Sequence, residues 1–560
     1  MDTPRDDMAA LTRSQAGGRA ATRQEPKSSG RPGAVELRFA LDPKAAARVP
    51  LVPLLRNLAI AKPETRMLTT TYFDTSGADL LRTCRTLSVC RADQGWQQTL
   101  TEHGALQSRS ECGRPVAGDR LDLNRIEDAR LRRKLVGWRA AGELGSRFAV
   151  VGQRTTWQLA TPDGALVECV LDQGRLRTAD GRRSIPLCDV GLALKSGPPQ
   201  ALIALARELA CSLPLSLEVR SKAERGYMLW RRESTTKSRK ADALALPVDA
   251  TAAEAMAKIV ASGSAHLQRN WLAAQAASRY DPEHVHQMRI ACRRLRTAFS
   301  VFGKIDDGLK CHPLVDELRW LADLLGEARN WDVLLFETFP RLLALFPDEP
   351  GLSPLAREAA IRRRRARQAA SDALRSERYL ALTLSLREFG FLVRERQALS
   401  IPVTAFATEV LTQRHRQLHK RARRLAELST TQRHALRITV KKLRYTAEFF
   451  GSLFKGDELD TFLRRFGRLQ KGLGQLNDLA TTRELMTALA ASAGAKAQRP
   501  LGLCTGWAAG LEQGTLSELP RWWKRVKHTA QFWPESRVLI DARPTVKRKP
   551  ASLAVDADAR

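Results

Sequence analysis

The sequence predicts an α+β multidomain chain, with a mostly antiparallel β domain followed by an all-α domain of two similar halves. Three observations predict it. Short runs between residues 34 and 230 alternate apolar and polar with period two and are separated by turn signals. After about residue 250 the apolar period becomes 3.6 and stays so to about residue 533. Within that stretch, a His-headed row of cations occurs twice, in "VHQMRIACRRLRTAF" (285–299) and "RHALRITVKKLRYTA" (433–447).

Taken in order, residues 1–33 are rich in Gly, Arg, Ser and Ala without periodicity and read as a disordered leader. Residues 34–232 form the β domain. Its strands are expected at "VELRFAL" (35–41), "TLSVCRA" (86–92), "WQQTLTE" (96–102), "WQLATPDGALVECVLD" (157–172) and "VGLALK" (190–195), with a helix at "ALIALAREL" (201–209). Residues 233–250 look like a linker. The helical domain spans 251–535, with halves at about 251–400 and 401–535 and breaks at "FPDEPGLSP" (346–354) and "SIPV" (400–403). Residues 536–560 read as a disordered tail.

The 560 residues are 43% apolar and 27% charged, which fits folded domains. The formal net charge of +32, with arginines in clusters, points to an anionic partner: nucleic acid, a phosphorylated polymer or an acidic membrane surface. No run of 18 apolar residues predicts a membrane span. Asp2, Asp6 and Asp7 and the lack of an apolar core argue against a secretory signal. Nine scattered cysteines without CxxC spacing indicate neither a zinc site nor a disulfide framework, so a cytoplasmic setting is expected. No Walker loop or dinucleotide fingerprint is present.

The repeated helix carries the chemistry. Placing His286 at zero and advancing 100° per residue sets Arg289, Arg293 and Arg296 at about 300°, 340° and 280°, a stripe about 80° wide. Met288, Cys292, Leu295 and Phe299 make an apolar flank beside it. His434, Arg437, Lys441 and Arg444 take the same angles, with Leu436, Val440 and Leu443 as flank. The offset is 148 residues, and the same offset carries Gly326 of "LLGEARNWD" onto Gly474 of "GLGQLNDLA". Two features in one register argue for a duplication. Stacked like charges destabilise a helix, so each stripe needs acidic neighbours, with Asp332, Asp478 and Glu448 as candidates, or a bound polyanion. "IRRRRAR" (361–367) and "RHRQLHKRARR" (414–424) add cations with no acid among them. Phosphate oxygens suit such arginines, whose planar forks donate two hydrogen bonds at once. The tryptophans Trp507, Trp522, Trp523 and Trp533 are expected in core packing.

"DPEHVHQMRIACRRLRTAFSVF" with "LADLLGEARNWDVL", and "RHALRITVKKLRYTAEFF" with "LQKGLGQLNDLATTREL", resemble the CHAD domain over about residues 250–535. The resemblance implies two duplicated four-helix bundles and inorganic polyphosphate held in a basic groove between them, without any cofactor. The ligands it implies are His286, Arg289, Arg293, Arg296, His434, Arg437, Lys441 and Arg444, with Arg294, Arg329, Arg416 and Lys420 as lesser candidates. Location on polyphosphate granules in the cytoplasm follows as an expectation. Nonspecific nucleic-acid binding is an alternative partner, though aromatics at 6% leave few stacking platforms.

The N-terminal part, through "VELRFAL", "TTYFDTSGADLL", "RSEC", "LDQG", "VGLALKSG" and "SKAERGYML", resembles the CYTH family of triphosphate tunnel proteins. That resemblance implies an antiparallel β tunnel or barrel, with cations gripping triphosphate and glutamates holding Mg²⁺ or Mn²⁺. The matching cations are Arg38, Arg109, Arg154, Lys195, Lys222 and Arg225, and Glu36 and Glu111 are the remaining metal candidates. The pattern departs where a Glu-x-Glu-x-Glu-x-Lys strand is expected: Asp189, Gly191, Ala193 and Lys195 occupy those places. Ser88, Cys90 and Thr101 stand where cations are expected. Because a hard divalent ion wants several oxygen ligands, the tunnel is expected to be inactive. The alternative is a metal-dependent inorganic triphosphatase.

Overall fold

The computed structural model describes residues 35–92, 95–103, 109–233, 236–454, 456–493 and 497–534. The leader at 1–33 and the tail at 536–560 lie outside the described residues.

The β domain runs β1 (Glu36–Ala40), α1 (Pro43–Arg48), α2 (Pro53–Leu58), β2 (Glu64–Asp74), α3 (Asp79–Arg82), β3 (Arg85–Ala92), β4 (Gly95–His103), β5 (Arg109–Val116), α4 (Ala129–Ala140), β6 (Gly145–Ala160), β7 (Leu166–Thr178), β8 (Ser184–Ser196), α5 (Pro199–Ser212), β9 (Ser216–Leu217) and α6 (Lys222–Trp230). These strands form one antiparallel sheet in the order β5-β4-β3-β2-β6-β7-β8-β1-β9. The predicted "WQLATPDGALVECVLD" run is the β6–β7 hairpin. Its turn is set by Gly164 at φ +79° and by Thr161, whose hydroxyl accepts from the Ala165 amide at 3.1 Å.

The expected tunnel or barrel is an open, tunnel-like sheet instead. β5 and β9 are its two margins, and β9, only two residues long, pairs with β1 alone. Period-two alternation produces two distinct faces. Leu37 and Phe39 of β1, Cys169 and Leu171 of β7, and Val190 and Leu192 of β8 are buried against Leu202, Leu205 and Leu209 of α5. The opposite face carries Glu36, Arg38, Arg154, Asp172 and Asp189, brought side by side by the pairings Arg38↔Gly191, Arg154↔Asp172 and Asp172↔Asp189.

The helical domain comprises α7 (Ala252–Ala276), α8 (Pro282–Phe302), α9 (Pro313–Val333), α10 (Phe339–Leu345), α11 (Leu352–Arg375), α12 (Glu377–Leu392), α13 (Val403–Arg421), α14 (Thr430–Phe450), α15 (Glu458–Ala493) and α16 (Gln498–Lys527). A π-helical turn, Leu334–Thr338, joins α9 to α10. Adding the 148-residue offset to both ends of α8 gives both ends of α14. Asp281 caps α8, and a capping box of Ser429 and Gln432 opens α14. The apolar flanks named in the sequence, Met288, Cys292, Leu295 and Phe299 on α8 and Leu436, Val440 and Leu443 on α14, are all buried in one core. The four tryptophans pack against or within it.

The linker stretch has no regular secondary structure over 236–250, yet it is anchored. Leu244, Leu246 and Ala250 are buried, and the Arg239 carbonyl accepts from Asn270 of α7 at 2.9 Å. The two domains also touch through α12. Leu384 is buried in the core shared by β1 and α5, and Arg207 of α5 pairs with Glu388 at 2.7 Å. Among the described residues no helix is long and apolar enough to cross a membrane.

Candidate functional site: a cationic groove between two helices

Helix geometry and the apolar flanks together decide where the stripes point. Once Met288, Leu295, Leu436 and Leu443 are buried, the adjacent cationic strips of α8 and α14 are turned toward each other. Arg293 of α8 donates its Nε to the Tyr445 hydroxyl of α14 at 2.7 Å. The buried Tyr445 ring lies 5.5, 5.8 and 5.4 Å from the guanidinium carbons of Arg293, Arg294 and Arg444. A cation over an aromatic face gains electrostatic stabilisation, which offsets part of the repulsion between these arginines.

The flanking helices complete the groove. Gly326 of α9 lies beside Arg289, so close that an added Cβ would be in ordinary contact with the guanidinium at 3.7 Å. On α15, Asn477 accepts from Arg437 at 3.2 Å and sits 2.8 Å from Nδ1 of His434. Asp478 is 3.8 Å from Arg437 and its side chain is 60% exposed, so its counter-charge is screened by water. Arg444 donates to Gln470 at 2.8 Å and pairs with Glu448 at 3.3 Å; Glu448 also pairs with Arg294. Arg329 pairs with Glu337 at 3.0 Å and lies close enough to His286 to disfavour its charged form.

Arg289, Arg293, Arg296 and Lys441 form no ion pair among the described residues. Burial, then Arg293, Arg437 and Arg289, push the Lys441 ammonium down to about 6. Burial and the neighbouring Arg293 and Arg437 also lower Arg289. Burial, then Arg329, keeps His286 below its usual range. These shifts identify a place where positive charge accumulates faster than the protein compensates it. Such a groove favours a polyanion with closely spaced oxygens.

The two heading histidines are not core-packing residues: His286 is half-buried and His434 is exposed. The buried histidines of this domain are His266 and His284, bonded to the backbone carbonyls of Arg239 and Thr236. Of the acids expected to compensate the stripes, Asp332 does something else. It is fully buried, accepting from Arg363 at 2.6 Å and from Tyr280 at 2.5 Å. The "IRRRRAR" run is thereby partly tied into the fold.

Arg416 and Lys420 project from the exposed side of α13, away from the two stripes. On the same helix Arg414 is buried, and Arg421 donates to the Ala435 carbonyl and the Thr439 hydroxyl of α14 at 3.2 and 2.7 Å. Sequence patterning missed these two. Their signal is the spacing of Arg414, Leu418 and Arg421, which places both cations on the apolar face of the helix.

In the β domain, matching cations meet carboxylates. Arg154 grips Asp172 with two hydrogen bonds of 2.7 and 3.0 Å, and Lys222 bonds the same carboxylate. Arg225 makes a two-pronged contact to Asp189, which is 2% exposed. Lys195 pairs with Glu168 at 2.9 Å, and Arg38 with Glu36 at 2.8 Å. Burial opposes charge at Asp172, yet Arg154 and Lys222 hold its carboxyl below the usual range. The register puts Gly191 opposite Arg38 and Ala193 opposite Glu36, so small side chains stand where further carboxylates would be needed. Among the described residues no three His, Cys, Asp or Glu side chains cluster as metal ligands. Glu36, engaged by Arg38, does not fit a hard divalent ion that needs several free oxygens. Arg109 and Glu111 are placed on β5, opposite His103 and Thr101, and their side chains lie outside the described part of the structure.

Comparison with known proteins agrees with this division. The profile of the CYTH domain family matches residues 34–227, and that of the CHAD domain family matches residues 258–487. A protein of Haemophilus influenzae named inorganic triphosphatase is 26% identical over 211 residues, covering 36% of this chain and 56% of that protein. An uncharacterized protein of Mycobacterium tuberculosis is 31% identical over 237 residues, covering 38% of this chain and 41% of its own length. The chain thus spans about half the length of these curated relatives. The crystal structure of a CHAD domain from the plant Ricinus communis is similar at 31% identity and a TM-score of 0.48, covering 53% of this chain and 99% of that one. A β domain of one family followed by a helical domain of the other makes this chain a member of the CYTH–CHAD fusion proteins.

Proposed function

We propose that this protein binds inorganic polyphosphate along the groove between α8 and α14. The carrying observation is the convergence of Arg289, Arg293 and Lys441 from two helices with no carboxylate paired to them, and with Lys441 pushed down to about 6. A linear polyphosphate presents a negative oxygen pair at every unit, and Arg forks with an ammonium between them match it. Binding needs no metal or cofactor in this reading. The groove would place the protein on polyphosphate granules in the cytoplasm.

The test is a titration of long-chain polyphosphate against the full chain and against Arg293→Glu/Lys441→Glu/Arg444→Glu. The variant is expected to lose at least about 100-fold in affinity, since each charge-assisted contact contributes about 1.5–3 kcal/mol. Unchanged affinity would reject the groove. Single-stranded DNA added at equal salt should compete poorly, because Tyr445, the ring against Arg293, Arg294 and Arg444, is buried and offers no face for a base to stack on.

A second reading is hydrolysis of triphosphate by the β domain, favoured by similarity to the protein named inorganic triphosphatase. The ion pairs at Asp172, Asp189, Glu168 and Glu36 weigh against it. Phosphate release from tripolyphosphate with Mg²⁺ or Mn²⁺ decides the matter: turnover would establish the enzyme.

A further inference from the structure

Arg414 of α13 is 5% exposed, its Nε finds no acceptor, and it makes no hydrogen bond or ion pair among the described residues. A guanidinium buried without a partner is costly and is retained where something compensates it. Its neighbours make the cost larger. Lys304, two residues past the end of α8, donates its ammonium to the side-chain carbonyl of Gln413, the residue before Arg414, and it is lowered by burial and then by Arg414. Lys442 of α14 is depressed by burial and then by Arg414, Arg421 and Arg296. The acid on this side is Glu409, which faces Lys304 and accepts from Gln413 at 2.7 Å.

Lys441 and Lys442 are consecutive on one helix and therefore point about 100° apart. Lys441 faces Arg293 and Arg437, whereas Lys442 faces Arg414. The two cationic clusters lie on different flanks of α14.

We propose a second anion site on the α13 flank of α14, in which Arg414, Lys442 and Lys304 hold a phosphate-type oxyanion. The buried fork of Arg414 supplies paired donors at the floor. The two ammonium groups, one of them on the exposed Lys304, close the anion from the outside. The chemistry fits either free orthophosphate or the terminal phosphate of a chain whose body lies in the groove. Only the second source rests on the groove reading.

The experiment uses the full chain and calorimetric titration with orthophosphate and, separately, with long-chain polyphosphate. The variants are Lys304→Gln/Lys442→Gln, Arg414→Gln, and the groove variant Arg293→Gln/Lys441→Gln. Loss of two charge-assisted contacts should weaken the anion at least about tenfold in the lysine pair variant. If only orthophosphate weakens there, the site takes the free ion. If long-chain polyphosphate weakens as well, it takes the chain end. Arg414→Gln repeats the loss if it folds, and the lysine variant carries the test if it does not. The proposal is overturned if both anions bind the lysine variant as tightly as the native chain, or if the groove variant loses orthophosphate to the same degree. Failure of the groove reading would show separately, as long-chain affinity preserved in the groove variant.

Discussion

Lys441 is the residue whose chemistry is most exposed to experiment. Its ammonium titrates near 6 in the free protein because burial and three arginines disfavour the charge. A bound polyanion favours the charged form and raises that value, so binding takes up a proton. Between pH 6 and 8 the affinity for polyphosphate should fall as pH rises, by up to about tenfold per unit. Lys441→Arg keeps its charge throughout and should flatten that slope, which titrations at three pH values and fixed salt will read. In the sheet, the informative residue is Arg225. Replacing it with Ala strands Asp189, 2% exposed, without its two-pronged partner. Breaking a buried pair from one side costs on the order of 3–5 kcal/mol. Chemical denaturation should show the loss; a change below about 1 kcal/mol would mean that Asp189 finds other partners.

At the scale of elements, α8 can approach α7 because Gly263 lacks a side chain. A Cβ there would fall 2.6 Å from Leu295 Cδ2. Gly263→Ala should therefore destabilise the helical domain by about 1–3 kcal/mol despite a helix-propensity gain of about 1 kcal/mol. A stabilised variant would contradict the packing described. The helices themselves are legible in the sequence, since apolar spacing fixes both the element and its buried side. That is why the stripes of His286 to Arg296 and His434 to Arg444 follow from residue spacing alone. The phase of α13 is harder to read: its cation run looks uniform, and only the apolar positions Leu411 and Leu418 show that Arg414 turns inward and Arg421 turns toward α14 while Arg416 and Lys420 turn outward. In the sheet, alternation reveals strands but not which strand pairs with which. The partners of Arg154, Lys195, Lys222 and Arg225 depend on cross-strand register and long-range contacts, which the linear order does not contain. Closure into a barrel is what the family resemblance implies, whereas the pairing leaves β5 and β9 as margins.

For the whole molecule, a formal net charge of +32 makes salt a strong variable. With about four groove cations neutralised, the logarithm of affinity should fall with the logarithm of salt with a slope near ~3, borrowing the single-strand nucleic-acid relation. A flat response would mean that contacts other than charge dominate. The domains are coupled through α12, where Leu384 enters the β-domain core and Arg387 donates to the Glu36 carbonyl at 3.5 Å. Leu384→Asp should separate the unfolding of the two domains into distinct calorimetric steps. A single unchanged transition would show that the α12 contact is dispensable. The open sheet has a last consequence. A free strand margin is a template for other chains, and β5 carries Pro115, which removes one backbone donor, at the rim, while β9 is too short to seed a ladder. The rim is thereby built to resist fibre-like association of copies in a crowded solution.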